Sequence, residues 1–179
     1  INQWGASIGT VLASVKSLPD NTKAYQLSAE LKKLNLSDVI VGIPTAYETI
    51  HNLSLLAEIL LTSPLDRLIF GNGAPELQTL LLQKAQFDLG ESLVFVDGKL
   101  TYDENGAMTG VVNITVQGWK NLFKLAKDMG YIEPNVENFF AMMLADLAAQ
   151  DGSGDTLTFP LEVQKNQISY GVLKLGILP

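Results

Sequence analysis

The residue types that carry most enzyme chemistry are scarce in this sequence. Among its 179 residues there is no Cys, one His (His51) and one Arg (Arg67). Without cysteine the chain has no thiolate nucleophile, no disulfide and no sulfur ligand for a metal. A single imidazole cannot form a multi-histidine metal site, and it leaves few groups that titrate near neutral pH. The sequence therefore predicts no catalytic residue, no metal site and no cofactor.

His51 and the nearby acid Glu48 form a pair that could act as a base oriented by a carboxylate. No Ser or Cys stands in the pattern of a nucleophile elbow, so the fold alone would have to supply the catalytic geometry. A histidine that is exposed or half-buried is the simpler interpretation of His51.

Two acidic segments have a possible function and a simpler structural interpretation. Asp103 and Glu104 could be the paired carboxylates of a glycosidase, but they adjoin an Asn-Gly turn and fit that turn as polar residues. The segment Asp151-Gly-Ser-Gly-Asp155 could offer oxygens to calcium, but its two acids are fewer than the six to eight ligands that calcium takes. Both segments are therefore interpreted as solvated loops.

The glycines of Gly71-x-Gly73-x-x-Glu76 match part of a dinucleotide-binding fingerprint. The third glycine of that pattern is Glu76, which would place a carboxylate near the pyrophosphate, and no βαβ unit surrounds it. The segment is better interpreted as the entry to a helix over residues 75–84.

Large apolar residues at helical spacing form the most prominent pattern of the C-terminal half. Two interpretations are open for this stripe: it packs between a helix and a sheet as core, or it lines a groove for a lipid or another hydrophobic ligand. The methionines favour the interpretation as a ligand groove, because the flexible side chain of methionine adapts to varied apolar ligands. The stripe consists of Trp119, Phe123, Phe139, Phe140, Met142 and Met143.

Composition limits the classes of partner. Apolar residues make up 47% of the chain and charged residues 17%, which is sparse for a soluble domain. Nineteen acids against twelve bases give a net charge of −7. Nucleic acid and anionic membrane surfaces attract basic faces, so this balance argues against both as general partners.

Apolar and polar residues alternate over residues 25–32 and, upstream, over residues 10–16, with turn residues between them. We therefore expect residues 9–36 to form a β-hairpin, although helical spacing also fits part of the second segment. A change of phase at Lys33 suggests a bulge. Residues 52–62 fit a strand and a helix equally well, and periodicity does not decide between them.

Later segments combine helix and strand signals. Pro75 and the leucine spacing behind it predict a helix over residues 75–84. The dipeptide Asn105-Gly106 predicts a hairpin between two strands. The remaining predicted elements are a short helix from Thr45, helices from Trp119 and Pro134, and a hairpin over residues 156–172.

Tight turns between neighbouring strands imply an α+β fold. We expect a mostly antiparallel, hairpin-built sheet with amphipathic helices packed on one face. One domain covers residues 1–179. Because the sequence begins with Ile1 rather than Met, we expect a fragment of a longer anchored or secreted protein.

Two segments of the C-terminal half resemble a known family. They are Asp103-Glu-Asn-Gly106-Ala-Met-Thr-Gly110 with the following Gln117-Gly118-Trp119, and the terminal Gly171-Val-Leu-Lys-Leu-Gly176-Ile-Leu-Pro179. Together they resemble an uncharacterised family of Gram-negative envelope proteins, catalogued as domain of unknown function 2125. The resemblance implies a domain exposed to the periplasm behind a membrane anchor or signal, and it supplies no catalytic residues.

The leading hypothesis is a non-enzymatic periplasmic or envelope domain that binds a lipid or another hydrophobic ligand. Its expected ligand-binding residues are Trp119, Phe123, Phe139, Phe140 and Met143. A protein-interaction or scaffold domain of the envelope is the alternative, with an exposed apolar patch for a protein partner or a second copy. That patch would consist of Val39, Ile40, Val41, Ile43 and Tyr47. A carboxylate-based hydrolase is the third hypothesis, and the sequence does not fix the oligomeric state.

Overall fold

The computed structural model of the chain describes residues 8–37, 40–65, 74–150 and 152–178. Within these ranges nine strands form a single sheet in which each strand is antiparallel to the next one in the chain. The strands are β1 (Ile8–Leu18), β2 (Asn21–Asn35), β3 (Thr49–Leu61), β4 (Leu77–Leu89), β5 (Ser92–Tyr102), β6 (Met108–Gln117), β7 (Thr156–Gln164), β8 (Gln167–Tyr170) and β9 (Leu173–Ile177). Two helices, α1 (Trp119–Asp128) and α2 (Glu137–Gln150), lie between β6 and β7, and a short 3-10 helix covers Thr45–Tyr47.

The mostly antiparallel sheet and the α+β class are confirmed, although helices are few. The hairpin expected over residues 9–36 is formed by β1 and β2. At Lys33 the backbone takes a left-handed φ of 58°, yet the pairing register is the same on both sides of it. The suspected bulge is therefore a local backbone distortion with no added residue.

Residues 52–62, whose state the sequence left open, belong almost entirely to strand β3. This strand pairs with β2 on one side and with β4 on the other. Its alternate residues Leu53, Leu55, Ala57 and Ile59 stand opposite apolar residues in both neighbours, which is the arrangement that period-two alternation favours.

The helix predicted over residues 75–84 is wrong, because this segment is the first part of strand β4. The pairing of β4 with β5 shifts by one residue between Leu82 and Ala85. The extra residue of this bulge spaces the apolar positions as Leu80, Leu82, Ala85 and Phe87, so a three-residue step interrupts the strand alternation. A second shift, in the pairing with β3, leaves Gln78 as an extra residue between Leu77 and Thr79. The resulting spacing of Leu77, Leu80 and Leu81 imitates a helix in the sequence. Gly71 and Gly73 lie outside the described residues.

The register aligns apolar side chains in four rows across strands β1 to β7, and we call the surface that they form the apolar face. Directly opposed residues of antiparallel strands point to the same side, so each row lies on one face. The first row is Val11, Leu31, Leu53, Phe87, Val94, Val116 and Leu157; the second is Ala13, Ala29, Leu55, Ala85, Val96, Ile114 and Phe159. The third is Val15, Leu27, Ala57, Leu82, Gly98, Val112 and Leu161; the fourth is Ser17, Tyr25, Ile59, Leu80, Leu100, Gly110 and Val163.

No residue in the four rows is charged. The opposite face is more polar: one of its rows runs through Leu12, Glu30, Ser54, Gln86, Phe95, Thr115 and Thr158. The sheet therefore has two chemically different sides, as expected for an antiparallel sheet with one side directed away from water.

Helix α2 differs from the amphipathic helix that the sequence predicted. Its residues 139–144 are all apolar, and six consecutive residues of a helix point in every direction around its axis. Phe139 and Met142 are accordingly 67% and 69% exposed. Helix α1 does have one apolar side, with Trp119 and Leu125 buried and Lys120 and Lys124 exposed.

Candidate functional site

The hydrophobic cluster around Trp119 joins the two helices to the sheet. Its buried members are Val94, Val116, Trp119, Ala148 and Leu157, and its partly buried members are Phe87, Val96, Ile114, Leu122, Phe123, Leu144, Leu147 and Phe159. Every strand residue of this cluster belongs to the first or second row of the apolar face. The cluster thus includes a part of that face that lies on strands β4 to β7.

Gly118 fixes the position of Trp119 at the end of β6. Its φ of 70° is left-handed, a conformation that glycine adopts without the steric penalty of other residues. Its N–H donates to the carbonyl oxygen of Asp155 at 3.0 Å, and its own carbonyl oxygen accepts from the hydroxyl of buried Ser92 at 2.8 Å. These bonds tie the start of α1 to β5 and to the start of β7.

The five predicted ligand-binding residues fall into two groups. Trp119 and Phe123 lie in the buried cluster with their ring centroids 6.3 Å apart, and the Trp119 Nε1–H donates to the carbonyl oxygen of Gly154. Phe139 and Phe140 form a second edge-to-face pair at 5.8 Å, are exposed, and do not belong to the cluster. Met143 is half-buried. Whether any of these residues binds a ligand stays a prediction.

The uncovered part of the apolar face is the feature that residue-by-residue inspection of the sequence missed. On β2 and β3 its residues Leu27, Leu31, Leu53, Leu55 and Ile59 are only half-buried, while Tyr25 and Ala57 are buried. On β1, Val11 and Val15 are 52% and 60% exposed. The signal was present as alternation in each strand, but the four rows emerge only when the pairing register is known.

The acid that bonds to the chain at His51 is Asp88 rather than Glu48. Both carboxylate oxygens of Asp88 accept hydrogen bonds from the backbone, one from the N–H of His51 at 3.0 Å and one from the N–H of Asn52 at 2.7 Å. The side chain of His51 is exposed. In the described residues, no hydrogen bond or ion pair joins it to Glu48.

Asp103 is a turn residue, as its position beside Asn105-Gly106 indicated. Its Oδ1 accepts from the backbone N–H groups of Asn105 and Ala107, at 2.8 and 2.9 Å. Asp155 is exposed, while Asp151 lies outside the described residues. Within residues 8–37, 40–65, 74–150 and 152–178, no group of three or more acidic or histidine side chains is arranged to hold a metal.

A shallow depression of about 890 Å³ lies on the more polar face, beside the bulge of β4. Leu81, Phe95 and Val111 line it together with Lys99 and Asp97. The amide of Asn113 donates to Asp97 at 2.9 Å, so that carboxylate already has a partner. The depression is wide open and lies away from the predicted aromatic stripe.

The patch proposed around Val41 is not a single exposed surface. Val41 is 94% exposed, whereas Ile43 is buried. The hydroxyl of half-buried Tyr47 donates to the carbonyl oxygen of Asn121 in α1, so Tyr47 attaches the 3-10 helix to the helical region. Val39 lies outside the described residues. Across the described residues, neither helix has the length and hydropathy that a bilayer-spanning segment requires.

Fold and surface together define an antiparallel β-meander domain whose sheet has one apolar face and whose two helices share a hydrophobic cluster with strands β4 to β7. The chain belongs to the bacterial family of uncharacterized conserved proteins known as domain of unknown function 2125, whose family model matches residues 3–179. The resemblance seen in the sequence is thereby confirmed. No curated protein and no solved structure matches the chain.

Proposed function

We propose that the protein is a non-enzymatic domain of the bacterial envelope, exposed to the periplasm, that holds a lipid or another long hydrophobic ligand against its apolar face. The single observation that carries this proposal is the alignment of four uncharged rows over seven strands. On β1 to β3 the residues of these rows are half-buried or exposed, except Tyr25 and Ala57, which are buried. The envelope location rests on the family resemblance alone.

The dimensions of the face suit an extended hydrocarbon chain. Neighbouring strands lie about 4.8 Å apart, so seven strands span about 29 Å, and four alternate positions along a strand span about 20 Å. Each methylene that leaves water contributes about 0.8 kcal/mol when it is fully buried. A chain lying across several rows would therefore gain several kcal/mol even if only one side of it were covered.

The two helices would limit how much of the apolar face is open to a ligand. We propose that α1 and α2 pack on the apolar face and close it over β4 to β7, leaving β1 to β3 for the ligand. In this arrangement Trp119 and Phe123 close one side of the surface, because Trp119 belongs to one cluster with Val94, Val116 and Leu157, and Phe123 packs against that cluster. The exposed pair Phe139 and Phe140, with Met143 beside them on α2, would add adaptable apolar contacts at the rim.

Two neighbouring leucines of β3 provide a matched test. Leu55 lies on the apolar face between Ala29 and Ala85, while Leu56 lies on the opposite face between Ser28 and Lys84, and both are half-buried. We expect Leu55→Gln to weaken the binding of a fluorescent long-chain fatty acid several-fold and to deplete lipid that co-purifies in native mass spectra. Leu56→Gln should leave both the fatty-acid affinity and the amount of co-purifying lipid unchanged.

The comparison of these variants can fail in two ways. Equal loss of fatty-acid binding in Leu55→Gln and Leu56→Gln would show that both substitutions act by destabilising the fold, and circular dichroism would reveal that destabilisation. Unchanged binding in Leu55→Gln, with the fatty acid still bound to the wild type, would show that the ligand lies elsewhere. Absence of binding in the wild type would overturn the proposal.

A protein-interaction role has its own supporting observation, which is the exposed apolar edge of the sheet at β1. Val11, Leu12 and Val15 are all more than half exposed there. This edge, rather than the patch around Val41, is the part of the described structure best suited to a protein partner.

A further inference from the structure

Strand β1 is a long edge strand whose outer side is not paired in the described structure. Within the described residues, it pairs only with β2. It has eleven residues, contains no proline, and carries a single charge at Lys16. Apart from Lys16 near one end, this edge strand with exposed Val11, Leu12 and Val15 lacks the usual devices that prevent a further strand from pairing with it.

We propose that β1 pairs with β1 of a second copy of this chain, antiparallel, about a two-fold axis that passes through Ala13. Ala13 is the central residue of Ile8–Leu18, so this register pairs all eleven residues. It places Val11 opposite Val15 of the second copy, and Val15 opposite Val11. Apolar residues therefore meet apolar residues at both valine positions.

The same register keeps like charges apart. Leu12 stands opposite Ser14 of the second copy, and Lys16 stands opposite Thr10, so the two lysines do not face each other. Other registers with a two-fold axis shorten the pairing and place Val11 or Val15 beside residues that match them less well. Residue-by-residue self-complementarity is what selects a second copy as the occupant, since an isologous interface requires the same patch on both partners.

The pairing would join the apolar faces of the two copies into one surface. Directly opposed residues of antiparallel strands point to the same side, so Ala13 of both copies lies on that face. The two helical regions would then stand at opposite ends of an eighteen-stranded sheet, with the uncovered strands in its middle. This inference stands apart from ligand binding, because either could be true without the other.

The absence of cysteine from the chain makes the register directly measurable. A single Ala13→Cys places the two thiols opposite each other, where directly opposed Cβ atoms lie about 4.5–5.5 Å apart, within reach of a disulfide after slight adjustment. In Val11→Cys the two thiols are offset by four residues, or about 13 Å. We expect mild oxidation to cross-link the full-length Ala13→Cys protein into dimers and to leave Val11→Cys monomeric on non-reducing gels.

A charge test checks the same register without cross-linking. In Val11→Lys/Val15→Lys, lysines face lysines twice, and we expect the mass measured by light scattering to fall from twice to once the 19.4 kDa of one chain. In Val11→Lys/Val15→Glu each lysine faces a glutamate, and the dimer should return. Both variants alter exposed positions, and circular dichroism would confirm that they fold.

Several outcomes would overturn the proposal. A wild-type chain that stays monomeric at high concentration would do so. Equal cross-linking of Val11→Cys and Ala13→Cys would show that contact at this edge is not register-specific. Cross-linking between Ala13→Cys and Leu175→Cys chains would show instead that β1 pairs with β9, which makes open polymers rather than dimers.

Discussion

The first row of the apolar face passes through two contrasting regions of the molecule. Val94, Val116 and Leu157 belong to the cluster that contains residues of both helices and are buried, Val116 to 7% exposure, whereas Val11 in the same row is 52% exposed. All four are aliphatic residues at equivalent positions of the pleat. The difference has two causes: the three buried residues belong to the cluster that contains helix residues, and Val11 lies on edge strand β1, which has a neighbouring strand on one side only in the described structure. The sheet pattern therefore marks which side avoids water but does not by itself bury it.

This contrast separates stability from binding. The helix-covered region is expected to hold most of the folding free energy, because burial is what converts apolar area into stability. The uncovered region retains apolar surface that can still be removed from water, by a ligand or by a second copy. Substitutions in the two regions should therefore affect different measurements.

The largest effect is expected for Trp119→Ala. The indole fills the cluster between α1 and the sheet, and removing a buried aromatic side chain costs about 3–5 kcal/mol of unfolding free energy. Phe139→Ala is the matched control, because that ring is exposed, and its cost should stay within about 0.5 kcal/mol. Urea unfolding of both variants measures the difference, and similar costs would contradict the division into two regions.

Val116→Ala and Val11→Ala compare the two regions within one row. Two buried methyl groups are lost at Val116, for about 2 kcal/mol, while the same change at exposed Val11 should cost no more than about 0.5 kcal/mol. Thermal unfolding measures both costs, and a low protein concentration ensures that dimer formation does not contribute to them. A cost at Val11 equal to that at Val116 would mean that β1 is covered in the monomer.

Ser92→Ala probes the attachment of α1 to the sheet. The Ser92 hydroxyl is buried and donates to the carbonyl oxygen of Gly118, which would be left without this donor, at a cost of about 1–3 kcal/mol. Hydrogen exchange should show faster opening of α1 in this variant while β1 to β3 keep their rates. Faster exchange throughout the sheet would show instead that the helices and strands unfold as one unit.

The smallest effect is expected for Lys127→Met, which removes the ion pair between the end of α1 and the start of α2. Lys127 and Glu137 are both about one-third exposed, and pairs of this kind contribute less than about 1 kcal/mol. The stability difference from wild type should also vanish at high salt, because screening weakens the pair in the wild type. A larger, salt-independent loss would indicate that Lys127 acts through packing.

Much of the fold follows from the sequence because its determinants are local. The alternation from Tyr25 to Leu31 identified β2, and Asn105-Gly106 with Asp103 identified the turn between β5 and β6. Strand β4 was mistaken for a helix because Pro75 and the spacing of Leu77, Leu80 and Leu81 fit one, and that spacing results from an extra residue in the pairing of β4 with β3. A bulge is defined by the neighbouring strand, so its position is not contained in the segment itself.

The candidate site was less predictable for a related reason. The aromatic stripe around Trp119 is visible in the sequence, because its residues are close along the chain. The four rows combine residues from seven strands, such as Val11 with Leu157, and depend on every register between them. Exposure of Phe139 and Met142 could have been anticipated from the run of apolar residues 139–144, which no single helix face can accommodate.

Thiol labelling along the first row tests most directly whether the apolar face is open over β3 and occupied by hydrocarbon. Single cysteines at Leu53 and Val94 lie in the same row, uncovered and covered, and a cysteine at Ser54 reports the opposite face. We expect Leu53→Cys to react quickly with a maleimide alone and slowly when a long-chain fatty acid is present. Val94→Cys should react slowly, and Ser54→Cys quickly, whether or not the fatty acid is present. Slow labelling of Leu53→Cys without fatty acid, or unchanged labelling with it, would contradict the account.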